Sequence, residues 1–231
     1  METSLHRELK ALYAVGDDAR TEVACEGYRI DVVAGGRLIE IQHSALSAIR
    51  DKVRKLLDGH DVLVVKPIVV EKRLLKRECE GGPIVEERKS PKRGTALELF
   101  DELVHFTRVF PHPRLTLEVV LVDVEEYRYP GHGRRRRRRA GDHVTEDIKL
   151  VRVHEVLRFT SAQDLWNLVP GKLPQPFHTG HLAEALRAKR WIAQRMAYCL
   201  HKTGAARQVG KQGNAWLYET TTVRRKRRRA A

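Results

Sequence analysis

The stretch that most constrains the fold is VLVVKPIVV, residues 62–70, which is apolar almost without interruption. A strand with one solvent-facing side alternates apolar and polar residues, whereas a nearly continuous apolar run is typical of a strand buried on both faces. Residues 62–70 are therefore predicted to form a strand whose sheet is covered on both sides. Hydrophobic residues make up 42% of the chain, which is enough to build such a core.

The segment before this strand predicts a three-stranded unit and a crossover helix. Residues 20–34 are predicted to form two short strands, and residues 37–42 a third. Ser44 is a candidate N-cap for an amphipathic helix over residues 45–58. That helix supplies the crossover that a parallel pairing of the third and fourth strands requires.

The N-terminal residues 3–13 predict a helix, because Leu5, Leu9 and Leu12 recur at a spacing that places them on one face. Glu8 falls on the same face, where a charged side chain is unexpected. The predicted order over the first third of the chain is therefore helix, three strands, helix and strand.

Beyond residue 70 the sequence predicts a hairpin, a helix and two more strands. Thr95 and Glu98 have the spacing of a capping box in front of the helix. The predicted ranges are 78–90 for the hairpin, 96–108 for the helix, and 115–129 and 147–159 for the strands.

The segment DVVAGGRLIEIQ carries Asp31 and Glu40 on either side of a glycine pair. If Gly35-Gly36 is a two-residue hairpin loop, Asp31 lies opposite Glu40, and strand alternation places Gln42 on the same face. The pairs that this loop predicts are Ala34 with Arg37, Val33 with Leu38, and Val32 with Ile39. The hairpin therefore presents two acids and an amide together, with Ile39 and Ile41 on the opposite face.

Two carboxylates in this arrangement repel each other unless one is protonated or a cation lies between them. Hard oxygen ligands at such a spacing suit Mg²⁺ or Mn²⁺. The alternative is a solvent-facing hairpin in which the acids pair with the nearby Arg29 and Arg37. The charges alone leave both interpretations open.

A helix, three strands, helix and strand, with Asp on the second strand and Glu-x-Gln on the third, resembles the PD-(D/E)XK nuclease superfamily, also called restriction-endonuclease-like. The resemblance covers about residues 1–70. It implies an α/β fold with an αβββαβ core of that type, here with added strands. It also implies a metal-dependent phosphodiesterase that uses Mg²⁺ or Mn²⁺.

The resemblance also implies roles for individual residues. Asp31 and Glu40 correspond to the two metal ligands of the superfamily, and Glu8 to an accessory acid that the first helix often provides. Gln42 occupies the position of the superfamily's lysine and would orient the attacking water through hydrogen bonds. Because glutamine carries no positive charge, Lys52 and Lys55 on the next helix are candidates to supply it.

The C-terminal part differs in charge from the rest of the chain. Residues 160–231 contain 14 Lys/Arg and 3 Asp/Glu, a net of +11 out of the total of +14. Clustered cations favour a polyanion partner, because they release counterions from phosphates. A solvated surface or an acidic protein partner is the alternative.

Short helices are predicted over residues 161–168, 179–187 and 190–202, followed by two strands around the turn KQGN. Three helices followed by a hairpin resemble winged-helix domains. The resemblance implies an α+β domain that docks on double-stranded DNA, with contact to a protein partner as the alternative. The predicted domains are therefore the nuclease-like unit at 1–159, the winged helix at 160–222 and a basic disordered tail at 223–231.

The second helix of such a domain enters the major groove of DNA. Its outward side chains here would be Arg190, Gln194 and Arg195, preceded by Lys189, and these types contact base edges and phosphates. Lys211 and Gln212 at the wing tip would contact the DNA backbone or minor groove. The three tryptophans, Trp166, Trp191 and Trp216, are predicted to pack in the core.

Two arginine runs, Arg134–Arg139 and Arg224–Arg229, are either nonspecific phosphate contacts or solvated segments. The N-terminus lacks the apolar stretch of a signal peptide, and no apolar run is as long as a membrane span. Three widely spaced cysteines fit a reducing interior. A cytoplasmic protein is expected, associated with the nucleoid if the source is bacterial.

Two functions follow from the sequence. The first is a metal-dependent DNA nuclease directed to its substrate by a winged helix. The whole chain resembles uncharacterised bacterial proteins that join such a core to a C-terminal winged helix. The second is a DNA-binding regulator or adaptor whose nuclease-like core is catalytically degenerate.

Overall fold

The computed structural model describes residues 2–131 and 142–221 of the 231-residue chain. Its architecture is mixed α/β, with a seven-stranded sheet, a separate two-stranded hairpin and several helices. The N-terminal part comprises α1 (Ser4–Tyr13), β1 (Arg20–Cys25), β2 (Tyr28–Ala34), β3 (Arg37–Ile41), α2 (Arg50–Leu56), β4 (Val62–Arg77), β5 (Ile84–Lys89), α3 (Leu99–Leu103), β6 (Leu115–Pro130) and β7 (His143–Phe159). The C-terminal part comprises α4 (Thr179–Ala185), α5 (Arg190–Lys202), β8 (Ala206–Gln212) and β9 (Ala215–Thr220). Short 3₁₀ turns cover Leu46–Ala48, Ala96–Glu98 and Ala162–Leu168.

Strand β4 lies inside the sheet, whose order is β1-β2-β3-β4-β6-β7, with β5 paired to the far end of β4. It is parallel to β3 and to β6, while the other neighbours are antiparallel. The seven residues from Val62 to Ile68 are all buried, as the apolar run predicts. The strand continues to Arg77, beyond the predicted end at residue 70.

The sheet separates two apolar clusters. Val62 and Val64 pack on the side that α2 and α3 cover, whereas Leu63 and Val65 pack on the side that α1 covers. Leu5 and Leu9 of α1 are fully buried, as predicted, but Leu12 is 53% exposed. The helix ends at Tyr13, whose hydroxyl donates a hydrogen bond to the Glu118 carboxylate of β6 at 2.7 Å.

The predicted order of the first six elements is confirmed, including the parallel β3–β4 pair joined by α2. The predicted helix start is wrong. A 3₁₀ turn occupies Leu46–Ala48 and α2 begins only at Arg50. Ser44 does not cap it, because the Ser44 hydroxyl accepts a hydrogen bond from the Gln42 side chain instead.

The helix predicted over residues 96–108 is shorter in the structure. Thr95 makes no capping hydrogen bond, and a 3₁₀ turn precedes α3. After α3 the amides of His105 and Phe106 bond to carbonyls three residues back, which tightens the chain into turns. These turns direct Phe106 into the core, where its side chain is fully buried.

The C-terminal helices and hairpin follow the predicted order, and β8 and β9 meet at the turn around Gly213. One apolar cluster runs from Ile30 of the sheet to Tyr218 of β9 without interruption. Phe100 of α3 is fully buried, and the Cys199 thiol of α5 lies 3.9 Å from its carbonyl oxygen. The two predicted domains therefore share one core.

Two of the three tryptophans contradict the prediction that they pack in the core. Trp166 packs edge-on against the buried Phe177, with ring centroids 5.6 Å apart. Trp191 and Trp216 are 44% and 45% exposed, and a cation covers each ring. The hydrophobicity of tryptophan favours burial, but the sequence does not show that α5 and β9 leave these two rings at the surface.

Among residues 2–131 and 142–221, no helix combines the length and apolar character needed to cross a bilayer. Both arginine runs, Arg134–Arg139 and Arg224–Arg229, lie outside the described residues, as does the predicted basic tail.

The shared core predicts that the two parts unfold together. Phe100→Ala should remove about 3–5 kcal/mol from the free energy of unfolding, since it leaves a cavity where α3 meets α5. Urea denaturation followed by circular dichroism should show a single transition at a lower midpoint. Ile84→Ala is the control, because this side chain on β5 is 48% exposed and should cost less than about 0.5 kcal/mol. Two separate transitions would show that the core is not cooperative.

Candidate functional site

The β2–β3 hairpin forms as its glycine pair predicts. Gly35 and Gly36 have φ of 56° and 69°, the left-handed backbone that a tight two-residue loop requires and that a side chain would strain. The predicted pairs Ala34–Arg37, Val33–Leu38 and Val32–Ile39 are all present. Ile39 and Ile41 are buried on the α1 side of the sheet, as predicted.

The regular pairing of β2 is interrupted at Asp31. On one side β1 pairs with β2 on both sides of this residue but not at it, and Glu22 of β1 has a φ of 57°. On the other side the Asp31 carboxylate, rather than a main-chain carbonyl, accepts the hydrogen bond of the Ile41 amide at 2.8 Å. A left-handed backbone at a residue other than glycine, as at Glu22, costs free energy, and such residues cluster at functional sites.

His6 of α1 is a residue that the sequence analysis missed. Its Nε2 lies 3.1 Å from Asp31 Oδ1, and this hydrogen bond raises the pKa of His6 above its usual value. Burial pushes the pKa of Asp31 up, but the hydrogen bonds from His6 and the Ile41 amide outweigh it and hold that pKa low. Asp31 is therefore an anion held from both sides. No spacing distinguishes His6 from the other ten histidines of the chain.

Glu40 is buried on β3, and Lys52 of α2 lies beside it, with Nζ 2.6 Å from Oε1. Burial is the largest influence on Glu40 and raises its pKa to about 7, although Lys52 opposes the shift. The charge of Asp31 raises the pKa of Glu40 further. The predicted pairing of Asp31 opposite Glu40 is not part of the ladder, which ends at Val32 and Ile39. Within the described part of the chain, Glu40 Oε1 receives no well-aligned hydrogen bond, so this oxygen is charge-paired only.

Gln42 follows β3 and closes the turn behind it. Its amide nitrogen donates to the Ser44 hydroxyl and to the Ala45 carbonyl, both at 2.8 Å. Since these bonds use both hydrogens of the amide, the side-chain oxygen is the atom that Gln42 can direct at a ligand.

Lys66 supports the same turn from β4. Its ammonium donates to the carbonyls of His43 and Ser44 at 2.9 and 2.5 Å and lies 3.5 Å from Glu102. Burial lowers the pKa of Lys66. It is the one charged residue in VLVVKPIVV, and that departure from the apolar pattern was the available signal for its role.

Glu8 does not join the other acids, contrary to prediction. Its carboxylate accepts the Leu150 amide of β7 at 2.7 Å, and Ser4, one helical turn earlier, bonds to Asp147 on the same strand. This stripe of α1 docks on β7 because Leu5 and Leu9 fix the rotation of the helix against the sheet. His6, on another side of α1, faces Asp31 instead.

An open cleft of about 490 Å³, which we call the site cleft, lies where α1, β1 and the end of β3 meet. His6, Ile41 and Gln42, which flank the two carboxylates, form part of its wall. The remaining lining residues are Glu2, Thr3, Glu22, Arg29, His43 and Ser44. In residues 2–131 and 142–221, no three His, Cys, Asp or Glu side chains are grouped as they would be around a metal ion.

The predicted nucleic-acid contacts lie on α5 and at the β8–β9 turn. Lys189, Arg190 and Gln194 are exposed. Arg195 is also exposed, but its guanidinium bonds to Asp101 of α3 and covers the Trp191 ring at 4.7 Å.

Lys211 and Gln212 are exposed at the tip of the hairpin, and the Lys211 ammonium lies 4.2 Å from the centre of the Trp216 ring. Among these predicted contacts, Arg195 is thus tied to Asp101 in the N-terminal part of the molecule.

The buried Glu40 makes the stability of the metal-free protein depend on pH. A carboxyl whose folded-state pKa is raised from 4.5 to about 7 costs stability as pH rises through that window, since the folded state must give up a proton it holds tightly. In the wild type the free energy of unfolding should therefore fall by on the order of 2–3 kcal/mol between pH 4.5 and about pH 7, and in Glu40→Gln this fall should be absent. Urea denaturation in EDTA measures both. Glu86→Gln, an exposed carboxylate on β5, is the control and should leave the pH slope unchanged. An equal slope in wild type and Glu40→Gln would contradict the buried ionisation.

Comparison with known proteins gives two matches. Residues 3–160 match the family described as a domain of unknown function, DUF8091. An uncharacterised protein of Treponema pallidum (strain Nichols) is 32% identical over 220 residues, which cover 94% of this chain and 84% of that protein. No solved structure matches the chain. The family match covers α1 to β7 and more than half of the chain, so the protein belongs to the DUF8091 family.

Proposed function

We propose that this protein is a metal-dependent nuclease that hydrolyses phosphodiester bonds of DNA. The observation that supports the proposal best is the placement of Asp31 and Glu40 just beyond the last paired residues of β2 and β3. The charge of Asp31 acts on Glu40, and the neighbouring His6, Ile41 and Gln42 line an open cleft. The surrounding helix, three strands, helix and parallel strand have the order of the PD-(D/E)XK core that the sequence resembles.

The residues at this position fit a hard divalent cation. Asp31 is held as an anion, and the buried Oε1 of Glu40 has the charge of Lys52 beside it but no aligned hydrogen bond, so a divalent cation could bind this oxygen next to Lys52. Asp31 and Glu40 would hold Mg²⁺ or Mn²⁺, which when bound supplies an activated water and stabilises charge on the scissile phosphate. His6 holds the Asp31 carboxylate in place. Glu8, the expected accessory acid for the metal, bonds to β7 instead.

Lys52 is the better placed of the two lysines for the positive charge that Gln42 lacks. It lies beside Glu40 and donates to the Arg29 carbonyl at 2.5 Å, so its ammonium is fixed at the site. The Lys55 ammonium lies by the Tyr28 ring and the Glu26 carbonyl, one turn further along α2. We assign to Lys52 the positive charge that the superfamily's lysine would supply, and to the Gln42 oxygen the orientation of the water.

The C-terminal part would dock the enzyme on double-stranded DNA as a winged helix. Arg190 and Gln194 on the outer side of α5 suit base edges and phosphates, and Lys189 adds a cation at the start of the helix. Lys211 and Gln212 project from the hairpin tip, where a wing contacts the backbone or the minor groove. The concentration of net charge in this part supports a phosphate partner.

A second candidate function is a DNA-binding regulator or adaptor with a noncatalytic core. It is favoured by the occupation of both carboxylates by protein cations, His6 on Asp31 and Lys52 on Glu40, and by the absence of a third ligand among the described residues. In that reading the ion pairs replace the metal and stabilise the hairpin. The two functions differ in whether divalent metal produces cleavage.

A cleavage assay on plasmid and single-stranded DNA with Mg²⁺ or Mn²⁺ tests the proposal. Asp31→Asn and Glu40→Gln should each lower the rate by about 10²-fold or more, because each removes a ligand charge while keeping the shape of the side chain. Glu8→Gln is the matched control and should cleave like the wild type, since Glu8 bonds to β7. Lys52→Met should slow cleavage much more than Lys55→Met.

Two outcomes of this assay reject the nuclease. Tight DNA binding with no cleavage under any divalent metal supports the regulator, and cleavage that survives both Asp31→Asn and Glu40→Gln points to a contaminant.

A third possibility, a protein-interaction adaptor, is supported if the affinity for DNA does not fall with salt, because phosphate contacts require that dependence.

Metal binding can be measured without activity. Mn²⁺ should raise the melting temperature of the wild type, because a ligand that binds the folded state alone stabilises it by mass action. The increase should be lost in Asp31→Asn and in Glu40→Gln and kept in Glu8→Gln, as followed by differential scanning fluorimetry. A wild-type melting temperature that does not change with Mn²⁺ or Mg²⁺ would contradict the proposed metal site.

A further inference from the structure

Three neighbouring cavities follow one another from the candidate site to the start of α5, each sharing lining residues with the next. The site cleft shares His43 with a second cavity of about 410 Å³. The second cavity shares Lys92, Glu98 and Asp101 with a third of about 570 Å³. The third cavity reaches α5, where Trp191 forms part of its wall. We call these three cavities together the trough.

The acids that line the second and third cavities have cations of their own. The pairs are Glu98 with Lys92 at 3.7 Å, Glu102 with Lys66 at 3.5 Å, and Asp101 with Arg195. The third cavity adds Arg93, Arg187 and Lys189 to its wall. The wall of the third cavity thus holds four cations and two acids, although Lys92 is the partner of Glu98 and Arg93 lies 3.6 Å from Glu71. This excess of positive charge at the α5 end of the trough suits an anionic polymer.

The same end carries an exposed aromatic ring. Trp191 is 44% exposed, and the Arg195 guanidinium lies 4.7 Å from the ring centroid. A tryptophan left at the surface next to cations is the combination that holds single-stranded nucleic acid, because the ring stacks on a base while the cations contact phosphates. In a duplex the bases already stack on one another and present only their edges in the grooves.

We propose that the trough holds one single strand of nucleic acid. The strand runs from the site cleft past Lys92 to α5, where one of its bases stacks on Trp191. The inference implies that the substrate of the proposed nuclease is single-stranded. Only the cleavage at the cleft end rests on that proposed function. Binding of the strand does not depend on it.

Binding is measured by fluorescence anisotropy on the full-length protein in EDTA, so that no metal-dependent cleavage takes place. The probes are labelled oligothymidylate and oligouridylate of about 20 nucleotides, which separate DNA from RNA, and a DNA duplex of equal length. Trp191→Ala should weaken single-strand binding about ten-fold, and Trp191→Phe should restore most of it because phenylalanine also stacks.

Trp216→Ala is the matched control for the aromatic ring. Trp216 is 45% exposed and has a lysine 4.2 Å from its ring centroid, but it does not line the trough. It should change single-strand affinity by less than about two-fold. Equal losses in Trp191→Ala and Trp216→Ala, or no loss in either, overturn the proposal.

Lys92→Glu tests the path between the cleft and α5 in the same assay. Lys92 is 80% exposed at the junction of the second and third cavities, and reversing its charge should weaken single-strand binding and flatten its salt dependence. Lys89→Glu is the matched control, because Lys89 is 74% exposed with an acid at 3.9 Å but lies off the trough. Equal effects of the two reversals would show a general charge effect and not a path.

Failure of this inference can be told from failure of the nuclease. Single-strand binding that depends on Trp191 and Lys92 without any cleavage supports the trough and rejects the enzyme. Cleavage of DNA with unchanged strand binding in both variants supports the enzyme and rejects the trough. Binding of neither oligomer by the wild type also rejects the trough and directs attention to a protein partner.

Discussion

Strand β4 lies inside the sheet with both of its faces covered, and it runs parallel to β3 on one side and to β6 on the other. A parallel pair cannot be joined by a tight turn, so the chain must leave the sheet after β3 and return through α2. That return path carries Lys52 back over β3 and places it against Glu40. The crossover demanded by the buried strand thus also supplies a cation to the candidate site.

The two faces of the sheet each contribute one partner to the two carboxylates. His6 comes from α1 on one face and bonds to Asp31, whereas Lys52 comes from α2 on the other and pairs with Glu40. Asp31 can turn toward α1 because the ladder is broken at Glu22, whose backbone is left-handed. Burying charge is costly unless it is paired, so both partners are needed in the absence of a divalent ion. A bound cation would take over part of that compensation.

Local chemistry made part of this site predictable from sequence. The glycine pair sets the loop, and the loop sets the register as far as Val32 and Ile39, which leaves Asp31 and Glu40 as the next residues along the two strands. The partners of these acids were not predictable in the same way. His6 rather than Glu8 faces the site because the docking of α1 on β7, more than 130 residues away in the chain, fixes the helix rotation. The choice of Lys52 over Lys55 depends on where α2 begins. The structure places that start at Arg50, whereas Ser44 as the N-cap predicts an earlier start.

The same limit applies to α5, whose ends the sequence predicts correctly but whose surroundings it does not. Amphipathic spacing identifies the buried side of this helix, yet the outer side has two different environments. Near the N-terminal end Arg195 is held by Asp101 and covers Trp191, so this turn belongs to the wall of the trough. Arg190 and Gln194 remain exposed on the helix. A helix arranged in this way can contact a duplex with one group of side chains while another borders the path toward Asp31 and Glu40. Because α5 shares a buried core with α3, its position relative to the candidate site is fixed by packing.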